Sequence, residues 1–189
     1  MDAPTIRIEA KGPWKFANVK TRAPYSFVRA SDVLASEENL RRLVTTCNEP
    51  PIYDFLFRAI LNGEPYGEAK AKSFFEWGAR GWQEQRYFVF VALDERGEIC
   101  GAADIKSNDK HKAEIGYWAS QRHSGIATPM VEALSKIAAD AGYGSLFAFV
   151  KTDNPRSTAV LERNAFLRFS EINTMKGYER YLYTRSLSH

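Results

Sequence analysis

The chain has 189 residues, of which 44% are hydrophobic and 26% are charged, and its formal net charge is +3. This length and composition are typical of one globular domain with a sizeable apolar core. The small net charge argues against nucleic acid as the main partner, because such proteins carry a clustered basic surface. The N-terminus has no apolar run typical of a signal peptide, and no stretch of about 18 apolar residues predicts a membrane span.

Cys47 and Cys100 are the two cysteines of the chain, and they stand far apart in the sequence. Neither a disulfide framework nor a metal site is predicted, because both need clustered ligands at characteristic spacings. We therefore expect a protein of a reducing, cytoplasmic compartment that holds no metal.

Residues 1–24 are predicted to form a basic N-terminal arm, and residues 25–189 to form the domain itself. The arm contains Trp14 and Phe16, and we expect these aromatic side chains to pack against the domain. A contact with nucleic acid or a membrane is the less favoured alternative, since the arm has few cations for a surface that follows phosphates.

The chain between residues 25 and 86 is predicted to form one strand followed by three helices. Tyr25–Arg29 is β-prone, and Ser31 or Asp32 is the expected cap of a helix that ends at Arg42. Turn-forming stretches then separate this helix from two more. The two later helices are predicted at Ile52–Leu61 and Glu68–Arg86.

The region 52–82 is dense in aromatic residues, and two interpretations of it remain open. The favoured one is a pair of helices that covers one face of a sheet. In the other, some of the aromatic side chains line a ligand pocket, since such pockets are largely apolar with few polar groups. The pocket candidates are Tyr53, Phe57, Tyr66, Phe74 and Trp77.

The second half of the chain contains most of the predicted strands. Tyr87–Leu93 and Ile99–Ile105 predict a hairpin, because two β-prone runs flank a tight-turn sequence. Further strands are predicted at Ala113–Ala119 and, as a continuously apolar run, at Ser145–Lys151. The last two strands are predicted at Phe166–Phe169 and Tyr178–Tyr183. This order of elements predicts a single α/β domain built on a mixed sheet.

Two helices alternate with these strands. One is amphipathic, begins at Ile126 and ends at a glycine. The other is short and follows Asp153 or Asn154 as its cap. We expect Asn164 to adopt the left-handed conformation that closes this short helix, since asparagine tolerates that conformation well.

The turn between the strand at Ala113–Ala119 and the long helix predicts an anion site. Gly125 lets a phosphate oxygen approach the backbone, where the free N–H groups of a first helical turn point outward. The helix dipole adds roughly half a positive charge there, and Arg122 can donate to a second oxygen. Neither a P-loop nor a dinucleotide fingerprint occurs in the sequence. The candidate binding residues are Arg122, His123, Ser124, Gly125, Ile126 and Ala127.

This turn resembles the acetyl-CoA-binding motif of the GNAT N-acetyltransferase superfamily, Q/R-x-x-G-x-G/A, which here is Arg122-x-x-Gly125-x-Ala127. The preceding strand, EIGYW from Glu114, is similar to the strand that enters this motif in the ribosomal-protein N-acetyltransferase branch. The stretch from Asn154 through Ser157 to Phe166 resembles the motif that follows the CoA loop in the family. The resemblance implies a GNAT-like fold with a mixed, mostly antiparallel central sheet flanked by helices.

The resemblance also implies acetyl-CoA as the co-substrate and gives roles to particular residues. The thioester carbonyl would meet backbone N–H groups at a splayed part of the strand, at Tyr117, Trp118 and Ala119. The diphosphate would lie on the turn at residues 122–127, and Asn154 would bind the cofactor near its thiol end.

Ser157 is the expected acid for the leaving thiolate, because the ribosomal-protein acetyltransferases have a serine at this place in the motif. Glu114 is the first candidate for the base that takes the proton of the amine, and Glu171 is the second. If proximity in a closed site supplies most of the rate, neither carboxylate needs to be essential.

The favoured function is direct transfer of an acetyl group from acetyl-CoA to a primary amine of a peptide N-terminus or of a small molecule. The alternative is a CoA-binding module without transfer activity. A nucleic-acid-binding protein is a third reading, which the near balance of charges disfavours. We expect a monomer or a homodimer without a membrane contact.

Overall fold

The computed structural model of the protein describes residues 5–175 and 177–187. Within these residues, eight strands form one sheet in the order β1-β2-β3-β4-β5-β6-β8-β7. Neighbouring strands are antiparallel except β5 and β6, which are parallel. The strands are β1 Trp14–Ala17, β2 Pro24–Arg29, β3 Phe88–Leu93, β4 Ile99–Ile105, β5 Ala113–Ala119, β6 Ser145–Lys151, β7 Leu167–Met175 and β8 Tyr178–Ser186.

Helices cover both faces of this sheet. They are α1 Glu37–Cys47, α2 Pro50–Ile52, α3 Glu68–Glu84, α4 Ala127–Ala141 and α5 Pro155–Arg163. The helix predicted at Ile52–Leu61 is instead the short α2 followed by a π-helical turn at Tyr53–Phe57. The single mixed α/β domain predicted from the sequence is confirmed.

Each face of the sheet carries its own apolar core. Met130 and Leu134 of α4 belong to the first core, and Leu43 of α1 and Phe75 of α3 belong to the second. Strand β3 contributes to both cores, with Phe88 and Phe90 in the first and Val89 and Val91 in the second. A strand buried on both faces has no polar alternation, which explains its continuously apolar sequence.

The N-terminal region adds an edge strand that the sequence did not predict. Residues of β1 pair with β2 in antiparallel register, with Trp14 opposite Phe27. The ring of Trp14 packs edge-on against Phe90 at 5.4 Å between centroids, and Phe16 stacks on Tyr25 at 5.7 Å. The expected packing by aromatic side chains is therefore confirmed.

Several predicted boundaries are wrong, among them the end of α1, which lies at Cys47 and not at Arg42. Ser31 and Asp32 lie in a 3₁₀ turn, and the cap of α1 is Ser36, whose Oγ accepts a hydrogen bond from the backbone N–H of Asn39 at 3.3 Å. The acidic residues at the start of α1 follow directly after Ser36, where the helix dipole favours negative charge. The final strands, β7 and β8, are both longer than predicted because they pair with each other along most of their length.

The left-handed residue after α5 is Ala165, with φ 57°, and not Asn164 as predicted. Asn164 is buried, and its side-chain amide donates hydrogen bonds to the carbonyl oxygens of Thr128 and Val160 at 3.1 and 2.9 Å. The asparagine is therefore used for a contact between α5 and α4, and the neighbouring residue takes the conformation that closes the helix.

Candidate functional site

The parallel strands β5 and β6 pair at one end only and then separate. Their paired residues are Ala113 with Leu146 and Glu114 with Phe147. Beyond these pairs β5 continues to Ala119 without pairing to β6. A cleft of about 1670 Å³ opens at this separation, between β5, β6, the start of α4 and the start of α5.

The open edge of β5 presents backbone amides to the cleft. On its other edge, β5 bonds to β4: the N–H of Lys106 donates to the carbonyl of Glu114, and the N–H of Ser120 donates to the carbonyl of Cys100, both at 2.8 Å. Alternate residues of a strand direct their N–H and C=O groups to the same side. The N–H groups of Tyr117 and Ala119 therefore point away from β4, and an extended ligand can pair with them as an added strand does.

Most of the candidate residues predicted from the sequence come together at this cleft, although they belong to a strand, a loop and a separate helix. Those that line it are Glu114, Tyr117, Trp118, Ala119, His123, Ser124, Gly125, Ala127, Asn154 and Ser157. Phe55, Phe149 and Tyr178 add aromatic surface to the same cleft.

The start of α4 leaves backbone donors free at one end of the cleft. Within the described chain, no acceptor is found for the N–H groups of Gly125, Ala127 and Thr128. Pro129 follows in the first turn, where its missing N–H removes no helical hydrogen bond. Three free amides at the N-terminus of a 15-residue helix give the arrangement of donors that an anion site requires.

The turn that follows β1 supports residues 122–127, which we call the anion loop. This support was not predicted from the sequence. The side-chain amide of Asn18, which is buried, donates to the carbonyl of Ser124 at 3.1 Å. The ammonium of Lys20 donates to Ser124 Oγ at 2.8 Å, and the N–H of Val19 donates to the carbonyl of Gly125. Lys20 thereby places a positive charge beside the free amides.

Gly125 is required here for two reasons. Its φ of +106° lies in the region that side chains disfavour, and a Cβ would stand 2.4 Å from Asn18 Oδ1. The glycine predicted from the motif therefore allows both the turn of the loop and its close approach to Asn18.

Two residues of the predicted anion loop lie elsewhere than expected. Arg122 points out of the cleft toward Glu49, with 3.5 Å between its Nε and the Glu49 carboxylate. Glu49 also accepts hydrogen bonds from Ser120 Oγ and the N–H of Gln121, both at 2.6 Å, so it holds the loop from behind. Ile126 is fully buried in the first core and its N–H donates to the carbonyl of His123, so it offers the cleft neither a side chain nor an amide.

His123 faces the cleft as a neutral side chain. Burial lowers its pKa from the usual 6.5, so the imidazole is uncharged at neutral pH. Its Nδ1 lies 2.9 Å from the hydroxyl of Tyr25, whose pKa burial raises and which therefore remains protonated. This hydrogen bond occupies Nδ1 and leaves Nε2 free for a second partner, as donor or acceptor according to the tautomer.

Ser157 and Tyr117 form a hydroxyl pair where α5 meets β5. The hydroxyl of Tyr117 lies 2.7 Å from Ser157 Oγ and donates to the carbonyl of Ser157 at 3.1 Å. Burial raises the pKa of Tyr117 well above its usual value, so its hydroxyl stays protonated. Asn154 caps α5 by accepting from the N–H of Ser157 at 3.1 Å, and the cap fixes the position of Ser157.

Glu114 lies on the opposite face of β5 in a group of three charged side chains. Its carboxylate pairs with Lys106, which also lines the cleft. Asp104 on β4 belongs to the same group and was not predicted from the sequence, although a single carboxylate within the apolar strand ICGAADI is a signal that could have identified it. Asp104 Oδ1 is buried without a hydrogen-bond partner, and burial raises the pKa of this carboxyl from 3.8 to about 6.

Glu171 and the predicted aromatic pocket lie away from the cleft. Glu171 is exposed on the edge strand β7 and does not line the cleft, which places this second candidate base outside the site. Tyr53, Phe57, Tyr66, Phe74 and Trp77 do not line it either. Phe57 packs on Tyr66 at 4.7 Å between ring centroids, and Phe74 packs against Trp118. Helix α3 covers a face of the sheet, as the favoured interpretation predicted. The segment predicted as its partner helix is instead α2 and the π-helical turn, whose Phe55 lines the cleft.

The protein belongs to the GNAT acetyltransferase family. The family's description, acetyltransferase (GNAT) domain, matches residues 34–167 of the chain. These residues include β5, β6, the start of α4 and the start of α5, between which the cleft opens. A search among curated proteins finds no match.

Solved structures of acetyltransferases share the fold at low sequence identity. The ribosomal L7/L12 α-N-protein acetyltransferase in complex with coenzyme A has a TM-score of 0.69 and 16% identity, covering 92% of this chain and 98% of that one. The microcin C7 self-immunity acetyltransferase in complex with acetyl-CoA and AMP has a TM-score of 0.69 and 18% identity, and the match covers 86% of this chain and 92% of that one. The spermidine N-acetyltransferase from Vibrio cholerae, in complex with CoA and spermine, has a TM-score of 0.66 and 13% identity, covering 86% and 95%.

The described part of the protein contains neither a metal site nor a membrane-spanning helix. Among residues 5–175 and 177–187, no group of three His, Cys, Asp or Glu side chains could hold a metal ion. Over the same residues, no helix combines the length and the apolar character needed to cross a bilayer.

Proposed function

We propose that the cleft binds acetyl-CoA along the open edge of β5 and that the enzyme transfers its acetyl group directly to a primary amine. The observation that carries this proposal is the continuity of two sets of free donors in one cleft. The amides of Tyr117 and Ala119 lie along β5, and those of Gly125, Ala127 and Thr128 follow at the start of α4. An extended thiol arm that ends in a diphosphate fits this order of donors.

The diphosphate is proposed to bind the free amides of the α4 start, with Lys20 as the nearest cation. The backbone donors and the helix dipole favour negative charge at this place. Arg122 supports the loop through Glu49 in this proposal, and its role differs from the one that the motif implied. Asn154 uses its Oδ1 to cap α5, which leaves its side-chain N–H groups available to the cofactor near the thiol end.

Acetyl-CoA supplies the acetyl group as an activated thioester. The amine nitrogen attacks the acetyl carbon while one of the outward-facing N–H groups of β5, that of Tyr117 or of Ala119, stabilises the charge that develops on the carbonyl oxygen. As the C–S bond breaks, Ser157 Oγ donates a proton to the leaving sulfur and is reprotonated from solvent, while the hydroxyl of Tyr117, 2.7 Å away, holds Ser157 Oγ in position. Glu114 takes the proton that the amine loses, directly or through water.

The acceptor is proposed to be a primary amine of a peptide N-terminus or of a small molecule. Structural relatives of both kinds exist, one named for a ribosomal protein and one crystallised with spermine. We further propose a reducing, cytoplasmic compartment, which suits the two buried free thiols of Cys47 and Cys100. A monomer or a homodimer is the proposed oligomeric state.

The test is a thiol-release assay with acetyl-CoA over a panel of amines and N-terminal peptides, run with the wild type and with Ser157→Ala. We expect the variant to lose about a hundredfold in kcat, the scale of one general acid, and to keep its affinity for acetyl-CoA in calorimetry. Ser73→Ala on α3 is the matched control, because Ser73 bonds only to its own helix.

Two outcomes contradict different parts of the proposal. Equal kcat for the wild type and Ser157→Ala would remove Ser157 from the reaction. Saturable acetyl-CoA binding without thiol release on any amine would favour the non-catalytic CoA-binding module instead.

A further inference from the structure

Two cations stand side by side in the wall of the cleft. Lys151 ends β6, and its Cα is the register partner of Arg180 on the antiparallel strand β8. Both side chains line the cleft. Like charges directly opposite each other on neighbouring strands destabilise a sheet, so this pair has a cost that the fold alone does not explain.

The two charges lack a carboxylate partner within the described residues. No Asp or Glu described by the structure lies within 4.0 Å of the cationic nitrogens of Lys151 or Arg180. Arg58 lines the same cleft but is paired with Asp54 at 2.6 Å, which shows how a cation here is neutralised when the chain supplies the partner.

Arg180 also has an unused buried donor. Its Nε is buried and has no hydrogen-bond acceptor among the described residues. A buried donor without a partner costs free energy comparable to a lost hydrogen bond. A guanidinium with an unused Nε–H offers the fork geometry that carboxylate and phosphoryl oxygens match.

Lys151 is positioned by its neighbours. Its ammonium lies 4.3 Å from the ring centroid of Tyr178 and 5.8 Å from that of Phe55. It donates to the carbonyl of Asp54 at 3.4 Å, which joins β6 to the π-helical turn. These contacts hold the ammonium without neutralising it, because aromatic rings and a carbonyl carry no net charge.

The cation pair lies on the face of the sheet opposite the diphosphate site. Leu146, Ala148 and Val150 of β6 are buried in the first core, on the side of α4, so the alternate residue Lys151 points to the other face. Glu114 shares this other face, because its neighbours Ala113 and Ile115 are buried in the first core. Lys151 and Arg180 therefore do not face the start of α4, where the diphosphate is placed.

The pair also lies near the reacting end of the cofactor. Glu114 pairs with Phe147 in the parallel register of β5 and β6. Four residues further along each strand are Trp118 and Lys151, so Lys151 lies across the cleft from Trp118. Trp118 lies between Tyr117 and Ala119, one of whose N–H groups is the proposed donor to the thioester carbonyl. An acceptor that enters from this face can place its amine at the thioester while another of its groups contacts the two cations.

We propose that Lys151 and Arg180 bind an anionic group of the acceptor, so that the preferred substrate is a primary amine that also carries a carboxylate or a phosphoryl group. This inference rests on the proposed function and narrows it. It disfavours polyamines, because a second ammonium would meet two positive charges in the wall of the cleft.

The test compares acceptors in matched pairs by thiol release. In each pair the first member carries the anionic group: L-alanine with L-alaninamide, phosphoethanolamine with ethanolamine, and a peptide with Asp as its second residue with the same peptide carrying Asn there. Spermidine is tested in addition as a polycationic acceptor. We expect kcat/KM to favour the anionic member of at least one pair by about tenfold or more, as charge-assisted hydrogen bonds allow. The pair that shows the preference identifies the source of the anionic group.

Arg180→Gln and Lys151→Gln should each reduce this preference to less than about threefold, mainly by raising the KM of the anionic member. Arg180→Glu should shift the preference toward cationic amines. Arg185→Gln is the matched control, because Arg185 lies on the same strand but does not line the cleft.

Failure of this inference differs from failure of the proposed function. Thiol release that is as fast with neutral amines or spermidine as with anionic amines, and is unchanged in Arg180→Gln, would overturn the inference and leave the acetyltransferase reaction intact. Absence of thiol release with every amine would refute the proposed function, and this inference with it.

Discussion

Replacement of Asp104 by asparagine should change how the stability of the protein depends on pH. Asp104 lies on β4 directly opposite Gly116, and a Cβ on that glycine would stand 3.1 Å from Asp104 Oδ1. The carboxyl is thus covered closely by backbone, and its Oδ1 has no hydrogen-bond partner. Asparagine has nearly the same shape and cannot become a carboxylate.

The magnitude follows from the shifted pKa. Burial is the main cause that raises the pKa of Asp104 from 3.8 to about 6; Glu114 adds to the shift, and Lys106 and the backbone N–H of Gly116 oppose it. Each pKa unit corresponds to about 1.4 kcal/mol, so the charged form costs the native state about 3 kcal/mol.

The sign of the effect is set by proton binding. Between about pH 4 and pH 6 the native state holds a proton on Asp104 that the unfolded state has lost. The free energy of unfolding therefore falls as pH rises through this window, and the full cost is present above pH 6. Below about pH 4 both states are protonated and the cost disappears.

The assay is urea unfolding of the wild type and Asp104→Asn at several pH values from 3.5 to 7.5. We expect the free energy of unfolding of the variant, relative to the wild type, to rise by about 3 kcal/mol from the lowest to the highest pH. Any constant effect of the new amide cancels, because only the change with pH is used. Asp153→Asn, at an exposed position, is the control for removal of one charge.

A difference between the variant and the wild type that stays constant over this pH range would refute the reasoning. It would mean that the carboxyl of Asp104 titrates alike in the folded and unfolded protein. A difference that changes in the opposite direction would mean that Lys106 stabilises the carboxylate more than burial destabilises it.

Two further substitutions test the packing around glycines. Gly125→Ala places a Cβ 2.4 Å from Asn18 Oδ1, at a backbone φ of +106°. Strained backbone costs about 1–3 kcal/mol, so we expect the affinity for acetyl-CoA in calorimetry to fall at least tenfold. Unchanged affinity would show that the loop of Gly125 is not part of the cofactor site. Gly81→Ala places a Cβ 2.4 Å from the ring of Tyr87, and we expect a loss of about 1–3 kcal/mol in thermal unfolding, whereas Gly67→Ala, in open space, should cost less.

The sequence by itself determined the elements whose signals are local. The hairpin of β3 and β4, the helix α4 and the start of α5 just after Asp153 or Asn154 follow from short patterns of apolar, turn-forming and capping residues. Gly125 could be identified because its requirement arises from the backbone of one turn. A local pattern is complete within a few residues, so no knowledge of the rest of the fold is needed to read it.

The side-chain contacts of the anion loop were decided by tertiary structure. Asn18 and Lys20 reach Ser124 from more than 100 residues away in the chain, and Glu49 draws Arg122 out of the cleft. The motif gave the position of Arg122 in the chain correctly but could not give the direction of its side chain. That direction depends on which charge lies nearest after folding.

The charged side chains on the acceptor side of the cleft could likewise not be predicted from the sequence. Lys151 and Arg180 become neighbours only through the register of β6 with β8, and Oδ1 of Asp104 is buried only where β5 pairs with β4. Register and burial are properties of strands that meet from distant parts of the chain. The sequence therefore specified the strand, the loop and the helix that carry the chemistry, while their assembly decided which charges face the substrate.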